Sequence, residues 1–89
     1  ISVGTPPRVD RLKRTPNGTL SVSGSGEPGS IVTITFPDGT TGTATVAADG
    51  TWGPVTSTAP QTSGNVAAVQ TDKAGNVSDP TVTAYVDTT

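Results

Sequence analysis

Cysteine, methionine and histidine are all absent from the 89 residues, and the aromatic side chains are limited to one Phe, one Trp and one Tyr. Without cysteine there is no disulfide framework, zinc ribbon, redox pair or thiol nucleophile. Without histidine the commonest general base and the commonest transition-metal ligand are missing. No apolar run approaches the roughly 18 to 20 residues of a transmembrane helix, so membrane insertion is not expected. Ile1-Ser2-Val3-Gly4 has neither the charged start nor the hydrophobic stretch of a signal peptide. With no initiator Met, the chain reads as an excised fragment whose export signal or anchor would lie in a longer parent.

What is present is threonine, about one residue in five, with 11 Gly and 8 Pro and only 30% hydrophobic residues. A chain of this length folds as one unit burying roughly 60 to 65% of its unfolded surface, with no room for a second core. The reading is therefore a single domain over 1–89, with 1–7 as a linker and 87–89 as a junction to a following unit. Charge is unevenly spread. Arg8, Arg11, Lys13 and Arg14 against Asp10 give +3, whereas Lys73 against Glu27, Asp38, Asp49, Asp72, Asp79 and Asp87 gives −5, for a total of −2. No aromatic residue interleaves with the basic stretch, so nucleic acid is not the expected partner. A solvated strand, or a linker facing a neighbouring domain, is the simpler reading.

Period-two alternation marks the strands. Leu20 and Val22 alternate with serines; Val32, Ile34 and Phe36 with threonines; Ala44, Val46 and Ala48 with Thr45 and Ala47; and Val82, Ala84 and Val86 with Thr81, Thr83 and Tyr85. In Asn65 to Thr71 either Val66 and Ala68 or Ala67 and Val69 are the inward pair, the first being preferred. Between these runs fall Asn17-Gly18, Glu27-Pro28-Gly29, Asp38-Gly39, Asp49-Gly50, Ser63-Gly64 and Ala74-Gly75-Asn76, turn signals because Asn, Asp and Gly tolerate positive φ. Pro16, Pro37 and Pro80 stand at strand margins, where no ladder donor is needed. No segment has a useful helical period, and Thr and Val dominate where helix formers would be required.

Six or seven short strands in this length predict an all-β fold, an antiparallel immunoglobulin-like β-sandwich of about seven short strands. The expected core is thin: Leu20, Val22, Val32, Ile34, Phe36, Val46, Trp52, Val66, Ala68, Val82, Ala84 and Val86. For catalysis, the carboxylates Asp38, Asp49 and Asp72 fall in turns, and a Ser-Lys pair using Lys13 or Lys73 is the only conceivable nucleophilic device. No strained nucleophile motif surrounds any serine, and so small a sandwich offers little cleft for paired carboxylates. An enzyme is not expected.

Three stretches in order carry a resemblance: Gly24-Ser25-Gly26-Glu27-Pro28-Gly29 with the strands on either side, Ala48-Asp49-Gly50-Thr51-Trp52, and Asp72-Lys73-Ala74-Gly75-Asn76. Together they resemble the bacterial immunoglobulin-like (Big) repeats of large surface adhesins and biofilm-associated proteins, and Val86-Asp87-Thr88-Thr89 looks like the junction between such repeats. The resemblance covers residues 19 to 89 and departs at Arg8 to Arg14, where such repeats are more neutral. It implies an extracellular, cell-surface repeat that spaces or presents a distal binding region, with neighbouring repeats and a host surface or biofilm matrix as partners. Lack of cysteine is compatible with that setting.

The resemblance also implies calcium at the junction between repeats, with Asp72, Asn76 and Asp87 as the ligating residues. Six to eight oxygens are needed, so one domain would hold part of a shell. The competing reading of Asp72 and Asn76 is an Asx turn closed on its own backbone, which needs no metal. A carbohydrate-binding or accessory module of a secreted bacterial enzyme is the alternative function. It would require exposed aromatic side chains, and the alternation leaves only Tyr85 for that role.

Overall fold

The computed structural model describes residues 7–86. Seven strands are formed: β1 (Arg8–Arg14), β2 (Leu20–Ser25), β3 (Ile31–Thr35), β4 (Thr41–Thr45), β5 (Thr51–Thr56), β6 (Gly64–Thr71) and β7 (Thr81–Tyr85). They make two antiparallel sheets, three-stranded β1-β2-β5 and four-stranded β4-β3-β6-β7. The turns fall where the sequence signals them: Gly18, Gly29, Gly39, Gly50 and Gly75 all hold φ between 86° and 88°. Ser63-Gly64 instead leads directly into β6.

Between the sheets lies the core of Leu20, Val22, Val32, Ile34, Phe36, Val46, Trp52, Val55, Val66, Ala68 and Tyr85. In β6 it is Val66 and Ala68 that face inward, as preferred from the sequence. The indole of Trp52 lies opposite Gly24, whose missing side chain admits it, and its Nε1 donates to the Ser25 carbonyl at 3.0 Å. Ala44 packs against the margin of the core, while Ala48 is exposed in the turn after β4.

Strict alternation fails in two strands, and in a third it holds with the parity opposite to that expected. In β1 the register shifts between Val9 and Arg11, so that Val9 and Leu12, three apart, both pack inward. A bulge of this kind inserts one unpaired residue and reverses the parity beyond it. In β5 the shift falls across Gly53-Pro54, bringing both Trp52 and Val55 inside. Gly53 is required there: its φ is 90°, and a Cβ would lie 2.7 Å from the Val22 carbonyl oxygen.

The opposite parity belongs to β7 and corrects its reading. Val82 and Val86 are 57% and 68% exposed and Ala84 is exposed, whereas Tyr85, expected outside, is 8% exposed. The ring is the largest apolar body on the strand, and it pairs with Gly64 of β6. At the other end of the strand, Thr81 Oγ1 donates to the Pro7 carbonyl at 2.6 Å. A one-residue difference in parity moves every side chain to the other face, so burying Tyr85 expels all three apolar neighbours. Pro7, assigned from the sequence to the linker, is itself fully buried, and the packed domain already includes it.

Candidate functional site

Two places on the domain carry the residues singled out above. At one end, the turn after β2, the turn after β4 and the loop after β6 come together: Gly26 N–H donates to the Gly50 carbonyl at 2.8 Å, and Glu27 N–H to Gln70 Oε1 at 2.8 Å. Arg8, the first residue of β1, pairs with Ser25 at the same end. Tyr85, the last residue of β7, pairs with Gly64 at the opposite end. The chain thus enters the sandwich at the end that carries Asp72 and leaves it at the other.

The Asp72–Asn76 loop is built around one carboxylate. Asp72 Oδ1 accepts the N–H groups of Ala74 and Asn76, each at 2.9 Å, and Oδ2 accepts the Asn76 side-chain amide at 3.1 Å. The backbone closes the same loop, Asp72 N–H to Asn76 O and Gly75 N–H to Asp72 O, both 3.0 Å. The Asn76 N–H, followed by its side-chain amide, holds the Asp72 carboxyl below its usual value, because donors aimed at the charged form favour it. Two other turns repeat the device, that of Asp49 at the same end and that of Asp38 at the opposite one. Thr51 caps Asp49 through its hydroxyl at 2.7 Å and its N–H at 3.1 Å, and Thr40 caps Asp38 through its hydroxyl at 2.6 Å and its N–H at 3.0 Å. In each the threonine hydroxyl is the first cause of the lowered carboxyl pKa.

The structure therefore brings Asp72 and Asn76 together. Asp87 lies outside the described residues. Tyr85, two positions before it, is level with Gly64, seven residues from Thr71 along β6 or about 23 Å at ~3.3 Å per residue. Among the described residues no three Asp, Glu, His or Cys side chains converge on a point that suits a metal ion. Asp72 Oδ1 is already occupied by two N–H donors, so the loop alone falls short of a calcium shell of six to eight oxygens.

The second place is the outer face of the three-stranded sheet. Arg11 and Lys13 are exposed on β1, and across from them lie Ser23 and Ser21 of β2. Two adjoining depressions of about 410 Å³ each share Arg11 and Ser23. One extends to Asp10, Thr51 and Gly53, the other to Lys13, Ser21, Pro54 and Pro16, so that the Asp10 carboxylate borders the first and the second carries cations without a carboxylate. The sequence displays the basic residues but not this grouping, because without the bulge Arg11 and Lys13 would share a face with Val9. No aromatic ring is exposed beside the groove: Trp52 is 3% exposed and Tyr85 is buried, so stacking on sugar rings, which the carbohydrate alternative required, has no platform among the described residues.

Sequence reasoning did not single out the burial of five polar side chains, Ser30, Ser57, Gln61, Gln70 and Ser78. Gln70 had a signal, since the alternation that puts Val66 and Ala68 inside also puts Gln70 there. No curated protein is similar enough to the chain to match it. The seven strands in two antiparallel sheets agree with the family-model match: over residues 5–87 the sequence fits the bacterial Ig domain, and the chain belongs to that family.

Proposed function

We propose that the domain is a non-enzymatic structural or adhesive repeat of a bacterial cell-surface protein, carrying a distal binding region away from the cell. The observation that supports this reading is the entry and exit of the chain at opposite ends of a body measuring 42 × 24 × 18 Å. Repeats joined through such ends run in series. Tension applied at the ends pulls β1 and β7 in opposite directions along their own axes, so the β1–β2 and β6–β7 ladders are loaded in shear, with their hydrogen bonds stressed together. Neighbouring repeats are the immediate partners, and a host surface or biofilm matrix is the distal one.

Calcium belongs to this reading only at a junction. Asp72 and Asn76 stand at the entry end, and Asp87 follows the strand that leaves at the other. End-to-end contact would therefore set the junction aspartate of one repeat against the loop of the next. Small-angle scattering on arrays of one, two and three repeats tests the series arrangement: the maximum dimension should grow by roughly the long axis of one domain, 42 Å, per repeat. Arrays that stay compact would sink the spacer reading. Calorimetric titration of the two-repeat array with calcium, with Asp87→Ala as the comparison, tests the metal; heat that is the same in both proteins removes Asp87 from the shell.

A further inference from the structure

Charge on this domain is sorted by surface. The outward positions of the four-stranded sheet, Thr41, Thr43 and Thr45 of β4, Ile31, Thr33 and Thr35 of β3, then Asn65, Ala67, Val69 and Thr71 of β6 and Val82 and Ala84 of β7, carry no charge at all. Glu27, Asp38, Asp49, Asp72 and Asp79 all lie in the turns and loops at the two ends. The outer side of the three-stranded sheet is the one face with cations, and Arg8–Asp10 at 3.8 Å, between two exposed side chains, is the one ion pair there among the described residues. An edge strand needs charge to discourage edge pairing, but either sign would serve. That need does not account for a groove floored with hydroxyls beside the cations.

We propose that this face binds a single chain of acidic polysaccharide, its carboxylate or sulfate groups on Arg11 and Lys13 and its hydroxyls on Ser21 and Ser23. The dimensions fit. From β1 across β2 to β5 the face is two strand spacings wide, roughly 9.6 Å, and Arg11 and Lys13 project about 6.6 Å apart along β1. One extended saccharide chain lies in that width, whereas a nucleic-acid duplex is about twice as broad as the groove. The hydroxyls of Ser21 and Ser23 have no side-chain hydrogen bond among the described residues, which leaves them available to a polar ligand. Exposed Pro54 supplies an apolar wall for the C–H face of a sugar, and no exposed aromatic is present to stack a base. Guanidinium and ammonium groups on such a surface act through charge-assisted hydrogen bonds to planar or tetrahedral oxyanions. This inference is independent of the spacer reading, since it concerns a side of the domain and not its ends.

The test is calorimetric titration of the domain at low ionic strength with a heparin hexasaccharide (sulfated), a polygalacturonate hexasaccharide (carboxylated), neutral maltohexaose and a short oligothymidylate. At least one acidic saccharide should bind, weakening steeply with added salt, and maltohexaose should not. Arg11→Gln with Lys13→Gln should weaken that binding about 30-fold, the scale of two cations against an anionic surface. Lys73→Gln, which removes a charge at the entry end instead, should change it by less than about twofold. Both variants should keep the parent melting temperature, since these side chains are exposed. An equal loss in Lys73→Gln, equal binding of maltohexaose, or no binding of either acidic saccharide overturns the proposal. Tighter binding of the oligothymidylate than of both acidic saccharides overturns it in favour of nucleic acid.

Discussion

Gln70 Oε1 accepts the backbone N–H of Glu27 at 2.8 Å, tying β6 of one sheet to the turn where the chain crosses from the other. The contact is buried on the Gln70 side, and the Gln70 backbone is in turn clamped by Ser78: Gln70 N–H donates to Ser78 Oγ at 2.9 Å, and Ser78 N–H to the Gln70 carbonyl at 2.8 Å. A Cβ on Gly26 would collide with Gln70 Oε1, so glycine at that position and glutamine at the other depend on each other.

Gln70→Leu keeps the volume and removes the acceptor, leaving the Glu27 N–H without its partner. The expected cost is about 1 to 3 kcal/mol, read from the urea midpoint at an unchanged slope. Stability equal to the parent would mean that the turn finds another acceptor.

Trp52 is the largest buried side chain of the three-stranded sheet, 3% exposed, and its Nε1–H is satisfied by Ser25. Trp52→Ala should cost roughly 3 to 5 kcal/mol, enough to unfold much of a domain this small at physiological temperature. A melting curve close to that of the parent would show that the indole does not fill the core.

The parity of β7 is tested by a pair of changes. Val82 is more than half exposed, so Val82→Thr should alter stability by no more than about 0.5 kcal/mol. Tyr85→Ala should cost about 3 kcal/mol. Tyr85→Phe should be neutral or slightly stabilising, because the buried phenol oxygen has no hydrogen-bond partner among the described residues and its removal forfeits none. Chemical denaturation of the three proteins ranks them. The opposite order, Val82→Thr costly and Tyr85→Ala harmless, would restore the alternation read from the sequence.

Asp38, Asp49 and Asp72 have carboxyl pKa values lowered in the folded state from an unperturbed 3.8, chiefly by the Thr40 hydroxyl, the Thr51 hydroxyl and the Asn76 N–H. A lowered folded-state value contributes stability above the unfolded pKa, and that stability is lost as pH falls through the folded value. The melting temperature should accordingly fall on acidification below about pH 4. Changing all three to Asn should lower it at neutral pH and flatten the acid limb. A triple variant whose acid limb matches that of the parent would rule these caps out as its source.

Much of the sandwich is legible in the order of residues. Alternation in Val32 to Phe36 and Leu20 to Val22 needs only the two-residue repeat of a strand and one buried face. Turns at Gly18, Gly29, Gly39, Gly50 and Gly75 need only residues that accept positive φ. Both are local properties, written in a few consecutive side chains. The Asp72–Asn76 loop is of the same kind, since all its bonds run within five residues.

What the alternation could not supply is parity across a bulge or at an edge. Leu12 faces inward because a residue is inserted at the Val9/Arg11 step, Val55 because of the shift across Gly53-Pro54, and Tyr85 because of the register in which β7 pairs with β6. In each case the register against a neighbouring strand decides which residues face the core. The cationic groove has the same origin, for Arg11 and Lys13 become neighbours of Ser23 and Ser21 only through β1–β2 pairing. Sequence alone determined the family, the all-β class, the turns and most of the core, because these rest on local conformational preference and on which side chains avoid water. Only the tertiary structure decided which face the edge strands bury and what lies beside the basic residues, because pairing between distant segments sets both.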